Sequence, residues 1–167
     1  MQHAGNIVIH QGTAKITDFG HSKSMNTETD LHGSFFGNIP YVAPEIIKAA
    51  GSKTKQEQVS KADDEAKKDP YTKSSDVYSL GVVLWQISSG KMPFEGQDKH
   101  MLYATIMSGS RENRMLDTPD KYYNLYEECW DDELEKRPII ERVYDVLENL
   151  LKKEGEKMDI DSVNKSK

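Results

Sequence analysis

The chain has 167 residues, of which 36% are hydrophobic and 30% are charged, and its formal net charge is −6. This length favours one domain with its own core, and the acidic balance argues against nucleic-acid binding, which needs clustered lysine and arginine. The longest apolar stretch, Leu80 to Trp85, is too short to cross a bilayer, and the N-terminal residues do not resemble a signal peptide. We therefore expect a cytoplasmic or nuclear protein, by default cytoplasmic, that binds neither membranes nor nucleic acids.

The first residues predict a small β-hairpin followed by a long loop. Two β-rich runs, Ile7 to Ile9 and Ala14 to Thr17, flank the turn signal Gln11-Gly12. From Asp18 to Phe36 the sequence is polar, rich in hydroxyls and without apolar period. Such long loops inside compact domains are usually functional or disordered.

Residues 51–70 form a second irregular stretch. Five lysines and five acids occur there, and Val59 is nearly the only large apolar residue. A segment of this composition cannot bury enough surface to fold alone. We expect a solvated, charged insertion, with a docking segment as the alternative.

The remaining sequence predicts helices. Ser74 and Ser75 are suitable N-caps for a helix that is apolar on almost every face and stops at Gly90, so this helix should be buried in the core. Three more helices are predicted over 98–107, 122–130 and 140–151, and residues 153–167 are expected to be a disordered polar tail. Cys129, the only cysteine, should be a buried thiol on the second of these three helices.

Five short motifs occur along the chain in a consistent order. They are Asn6 before the first strand, Asp18-Phe19-Gly20 after the second, Ala43-Pro44-Glu45 at the end of the loop, Ser75 to Gly81 at the start of the apolar helix, and Lys136-Arg137-Pro138 before the last helix. Any one of them occurs often by chance, but their common order and spacing do not.

With these motifs the sequence resembles the eukaryotic protein-kinase family from Asn6 to about Leu151, most closely the tyrosine-kinase-like and Ser/Thr groups. The resemblance implies a mainly helical α+β fold: the large lobe of a kinase domain over residues 1–152, with a short hairpin at its N-terminal edge. Residues 18–45 would be the activation segment, whose hydroxyls are candidates for phosphorylation.

The resemblance also implies a metal and nucleotide site. Phosphoryl transfer uses Mg²⁺ to neutralise charge on the phosphates of ATP, and Mg²⁺ prefers oxygen ligands. Asp18 would supply a carboxylate and Asn6 an amide oxygen, so both are candidate metal and cofactor-binding residues. The alternatives are a loop-start cap for Asp18 and a turn residue for Asn6.

Three further residues would be structural. In the family, the counterparts of Glu45 and Arg137 form an ion pair at the end of the activation segment, and the counterpart of Asp76 accepts backbone N–H groups of the catalytic loop. The alternatives are exposed charges for Glu45 and Arg137, and compensation of the helix dipole for Asp76.

The substrate-recognition loop favours serine or threonine substrates. Residues 37–42 resemble the Ser/Thr pattern Gly-Thr-x-x-Tyr more than the tyrosine-kinase pattern, although Asn38 stands where that pattern has threonine. We therefore expect protein substrates phosphorylated on serine or threonine.

The sequence departs from the family at the catalytic loop. The aspartate that accepts the substrate proton should stand five residues before Asn6, where the chain has Met1. The Gly-rich loop and the ATP-anchoring lysine are also absent from these 167 residues, so we expect no catalytic residue here and little or no binding of Mg²⁺ and ATP by this chain alone. One hypothesis is a partial kinase domain that needs its small lobe or a partner kinase; the alternative is a pseudokinase-like interaction module.

Overall fold

The computed structural model describes residues 3–19, 38–53 and 71–164 as a helical body with a β-hairpin at its N-terminal edge. The elements are β1 (Ile7–His10), β2 (Thr13–Ile16), α1 (Pro44–Lys53), α2 (Lys73–Ser89), α3 (Lys99–Met107), α4 (Asp120–Cys129) and α5 (Ile140–Asn164). The predicted class, mainly helical α+β, is confirmed. Within the described residues, no helix has the length and apolar character that a membrane span requires.

The hairpin forms because its two turn residues accept positive φ. Gln11 and Gly12 have φ of 50° and 74°, as the two-residue turns that suit twisted antiparallel strands require. Ile7 lies opposite Ile16 in the register and packs against the core. Ile9, two pairs further along, is 71% exposed, so most of the apolar surface of the hairpin is uncovered.

Helix α2 is the centre of the core, and its ends are defined by local capping. Thr72 is the N-cap: its hydroxyl accepts from the backbone N–H of Ser75, and the Ser75 hydroxyl accepts from the N–H of Thr72. The prediction of Ser74 or Ser75 as N-cap was therefore wrong, because this reciprocal arrangement starts the helix earlier. Gly90, with φ of 65°, ends it as predicted.

The two helices α2 and α4 approach each other closely at Gly81. A Cβ at this position would lie 2.8 Å from Cβ of Cys129 and 3.2 Å from the backbone nitrogen of Trp130. The Cys129 side chain is fully buried, as predicted, and burial raises the pKa of its thiol to about 12. Only glycine permits this contact.

Two helices extend into segments that were predicted to be irregular. Residues 51–53 were assigned to the charged insertion, but they form the last turn of α1, which begins at Pro44. Ala49, Ala50 and Lys53 have high helix propensity and favour this extension. Residues 54–70 lie outside the described residues. Helix α5 continues to Asn164, so the prediction of a disordered tail from residue 153 does not hold over 153–164. Lysine, glutamate and methionine in this stretch favour helix, and the i,i+4 ion pair between Lys152 and Glu148 stabilises the helix just before it.

The close contact at Gly81 gives a stability prediction. Gly81→Ala should lower the free energy of unfolding by about 1–3 kcal/mol, because the added methyl group forces α2 and α4 apart. Urea unfolding followed by circular dichroism measures this change.

The matched control is Gly51→Ala in α1, where nothing lies within 4 Å of the added methyl group. This substitution should stabilise the chain by about 0.5–1 kcal/mol through helix propensity. Equal effects of the two substitutions would contradict the packing of α2 against α4.

Candidate functional site

The open end of the hairpin brings Asn6 beside the residues that lead to Asp18. The backbone N–H of Thr17 donates to the carbonyl oxygen of Asn6 at 2.8 Å, and the Thr17 hydroxyl donates to the same oxygen at 3.2 Å. Asp18 follows directly. The two predicted metal-binding residues therefore flank the same end of one antiparallel pair.

Asp18 has an uncommon backbone conformation. Its φ is 57°, in the left-handed region that aspartate and asparagine tolerate better than most residues. The residue is exposed, and so is Phe19 after it, at 65%. Left-handed residues other than glycine cluster at binding and switch sites, which makes this turn a candidate functional feature.

The side chains of Asp18 and Asn6 are of the oxygen-donor type that Mg²⁺ prefers. Mg²⁺ typically takes one or two carboxylates and keeps waters or phosphate oxygens as its other ligands. Asp18 and Asn6 offer one carboxylate and one amide oxygen. Among the described residues, no group of three or more histidine, cysteine, aspartate or glutamate side chains is placed to hold a metal ion.

The segment that precedes α1 is anchored on α2 through Tyr41. The side chain of Tyr41 is buried, and its hydroxyl donates to Oε1 of Gln86 at 2.6 Å. The carbonyl oxygen of Tyr41 accepts from the hydroxyl of Ser79 at 2.7 Å. Asn38 to Val42, the described part of the predicted substrate-recognition loop, is thereby fixed to the core; residues 20–37 of the predicted activation segment lie outside the described residues.

Glu45 and Arg137 form a bidentate ion pair, although 92 positions separate them in the sequence. Nη1 and Nη2 of Arg137 each donate to one carboxylate oxygen of Glu45 at 2.9 Å. The Ser75 hydroxyl donates to the same carboxylate at 2.9 Å. Bidentate, charge-assisted pairs of this kind are among the strongest side-chain hydrogen bonds.

The ion pair is buried, and each guanidinium nitrogen of its arginine donates to an acceptor. The Arg137 side chain has 0% exposure and the Glu45 side chain 16%. Arg137 also donates to the carbonyl oxygens of Ser74, at 3.1 Å, and Asp131, at 2.8 Å. Burial alone would raise the pKa of Glu45, but the hydrogen bonds and charge of Arg137 and the bond from Ser75 hold this pKa below its ordinary value.

Asp76 lies in the first turn of α2 and is exposed. The catalytic loop, its expected partner, would precede Asn6, and residues 1–2 lie outside the described residues. The expected role of Asp76 therefore stays a prediction.

Several contacts that organise this region were not predicted from the sequence. Ser75 binds Glu45, Ser79 binds the Tyr41 carbonyl, and Tyr78 lies fully buried beneath Arg137. The position of these residues on the buried helix was visible in the sequence, but the identity of their partners was not, because the partners come from distant segments.

Comparison with known proteins agrees with this fold and arrangement. Residues 3–147 match the model of the protein tyrosine and serine/threonine kinase family. The chain therefore belongs to the protein kinase family.

Individual relatives include both serine/threonine and tyrosine kinases by name. The chain is 28% identical to a probable LIM domain-containing serine/threonine-protein kinase of Dictyostelium discoideum, over 87% of this chain and 19% of that protein. It is 32% identical to platelet-derived growth factor receptor alpha of Rattus norvegicus (95% and 14%) and 26% identical to a dual serine/threonine and tyrosine protein kinase of Apis mellifera (94% and 15%). The chain thus spans less than a fifth of the length of these relatives.

The buried ion pair predicts a specific pH dependence of stability. Because the folded-state pKa of Glu45 lies below its ordinary 4.5, the contribution of Glu45 is complete above pH 4.5 and is lost as pH falls below that value. Glu45→Gln should cost about 3 kcal/mol at neutral pH, where it leaves Arg137 buried without its counter-charge, and should remove this part of the acid sensitivity. Urea unfolding at a series of pH values measures both effects.

Glu133→Gln is the control, since the Glu133 side chain is 64% exposed and pairs with Lys136 at the surface. It should change the free energy of unfolding by less than about 1 kcal/mol. If Glu45→Gln behaved in the same way, the buried pair would not stabilise the fold.

Proposed function

We propose that this chain is the large-lobe part of a kinase domain that transfers the γ-phosphoryl group of Mg²⁺–ATP to protein substrates, on serine or threonine residues. The observation that carries the proposal is the open end of the hairpin, where the Asn6–Thr17 pairing sets Asp18 beside Asn6. Membership of the kinase family and the exposed, left-handed Asp18 support the same reading.

In this proposal Asn6 and Asp18 hold the metal that accompanies ATP, and the bound Mg²⁺ neutralises charge on the phosphates. The hairpin fixes the separation of the two residues. Glu45, Arg137 and Tyr41 keep the segment before α1 seated on α2, so that the substrate-recognition loop has a defined position. These residues bind and orient; the proton acceptor for the substrate hydroxyl is not among the residues we assign.

Within these 167 residues there is no Gly-rich loop and no lysine in the context that anchors ATP phosphates in the family. We propose that the chain alone binds Mg²⁺–ATP with Kd above roughly 1 mM and does not transfer phosphate, because positioning supplies most of the catalysis in this reaction. A small lobe, or a partner kinase that supplies equivalent groups, would complete the site.

The second candidate function is a non-catalytic interaction module. The uncovered apolar side chains of the hairpin end favour it: Ile9 is 71%, Ile16 50% and Phe19 65% exposed. Exposed apolar patches of this kind mark partner surfaces. The same surface would face a small lobe in the first proposal, so the two candidates differ in what covers it.

A metal titration tests the proposed site in the chain itself. Nuclear magnetic resonance signals of the Asn6 side-chain amide and the Asp18 backbone amide should shift on addition of Mg²⁺–ATP without reaching saturation at 1 mM. Asp18→Asn tolerates the same backbone but lacks the charge, and it should weaken this binding on the order of tenfold.

The matched control is Asp117→Asn, which removes the same charge from an exposed position in the segment between α3 and α4. Its Mg²⁺–ATP titration should resemble that of the unchanged chain. Equal weakening by both substitutions would show a general charge effect and would refute a metal site at Asp18.

The DNA upstream of the Met1 codon discriminates between the two functions. In-frame codons for a Gly-rich loop and for His-Arg-Asp would support the kinase domain. A stop codon directly upstream, together with a stable protein partner in a pull-down, would support the interaction module and contradict the first proposal.

A further inference from the structure

Two arginines lie over one buried aromatic ring in the core. The side chain of Tyr78 in α2 has 0% exposure. The guanidinium carbon of Arg137 lies 5.1 Å from the centroid of its ring, and that of Arg111 lies 5.2 Å from it. At these distances a guanidinium is attracted to an aromatic face, most strongly where water is excluded.

Each arginine also belongs to its own ion pair. Arg137 pairs with Glu45 at the start of α1, and Arg111, in the segment after α3, pairs with Asp132 after α4. The Arg111 side chain is 10% exposed, whereas that of Asp132 is 52% exposed. In the Arg111–Asp132 pair, solvent and protein partners can therefore reach Asp132 but hardly Arg111.

The two arginines bind the same short turn after α4. Nε of Arg111 donates to the carbonyl oxygen of Trp130 at 3.2 Å, and Nε of Arg137 donates to that of Asp131 at 2.8 Å. A shift of the Arg111 guanidinium would therefore displace the turn at residues 130–131, to which Arg137 is also hydrogen-bonded.

The four charges act on one another through a region of low dielectric. Burial raises the pKa of Tyr78 to about 12; the charges of Arg111 and Arg137 lower it, and those of Asp132 and Glu45 raise it. Two cations at one ring repel each other unless each has its own carboxylate. Loss of the Asp132 charge would leave Arg111 uncompensated beside Arg137, and the Glu45–Arg137 geometry would weaken.

We propose that Arg111 is a positioning residue for the Glu45–Arg137 pair and acts on it through the Tyr78 ring and the turn at 130–132. The segment after α3 is thereby coupled to the first turn of α1. This coupling is a property of the packing of this chain and does not depend on the proposed kinase activity. A protein partner that draws Asp132 away from Arg111 would loosen the end of the segment that precedes α1.

Amide hydrogen exchange tests the coupling in the full 167-residue chain. The N–H groups of Ile46 and Ile47 bond to the carbonyl oxygen of Ala43 in the first turn of α1, at 3.0 and 3.3 Å. In Asp132→Asn these two amides should exchange on the order of tenfold faster. The amides of Val82 and Val83 in α2, which report global opening, should change much less.

The same segment offers a matched control. Arg114 pairs with Asp120 and lies 4.6 Å from the ring centroid of Tyr123, so it has an ion pair and a ring contact of the same kind that do not involve Tyr78. Asp120→Asn should leave the exchange of Ile46 and Ile47 unchanged. Equal acceleration in Asp120→Asn and Asp132→Asn, or none in Asp132→Asn, would overturn the proposal.

Substitution of the ring separates positioning from simple packing. Tyr78→Phe keeps the ring and removes a buried hydroxyl that has no hydrogen-bond partner, so the effect of Asp132→Asn should persist in this background. Tyr78→Leu removes the ring, and Asp132→Asn should then accelerate Ile46 and Ile47 no further. A full Asp132→Asn effect in the leucine background would contradict transmission through the ring; if that variant does not fold, the comparison of Asp132→Asn with Asp120→Asn decides.

Discussion

The buried guanidinium of Arg137 is the interaction on which the helical body depends. It joins three segments that are far apart in the sequence: Glu45 at the start of α1, Ser74 at the start of α2 and Asp131 after α4. A full charge without solvent exposure is tolerated because each guanidinium nitrogen has an acceptor, and removal of Glu45 would leave this buried charge without its partner. Arg137 thereby holds the first turn of α1 against the start of α2 and the turn after α4, and Tyr41 anchors the segment before α1 on α2.

Much of the fold could be predicted from the sequence, because its strongest signals are local. The hairpin follows from a turn pair that tolerates positive φ, and α2 follows from a continuous apolar stretch ended by Gly90. The placement of Asn6 near Asp18 required only that the two strands pair across this turn. The contact of Glu45 with Arg137 was expected from family resemblance alone, since no local pattern relates two residues so far apart.

The rest depended on packing that periodicity does not specify. The helix predicted over 140–151 carries apolar residues at helical spacing, but Val143 is buried while Ile140 is 50% and Leu151 74% exposed. Spacing shows that such residues share a broad face, but it does not show how much of that face a neighbouring helix covers. For the same reason the two arginines at Tyr78 could not be predicted: Arg111 is indistinguishable in sequence from an ordinary surface residue until the turn after α4 is placed against it.

Because Cys129 lies at the contact with Gly81, its reactivity can be used to follow the separation of α2 and α4 over time. Cys129 is the single thiol among the 167 residues, and it lies where two core helices come closest. A thiol-reactive dye can reach its sulfur only while these helices are separated. The rate at which the unaltered chain is labelled therefore reports how often α2 and α4 separate. No probe has to be introduced, and no second thiol adds background labelling.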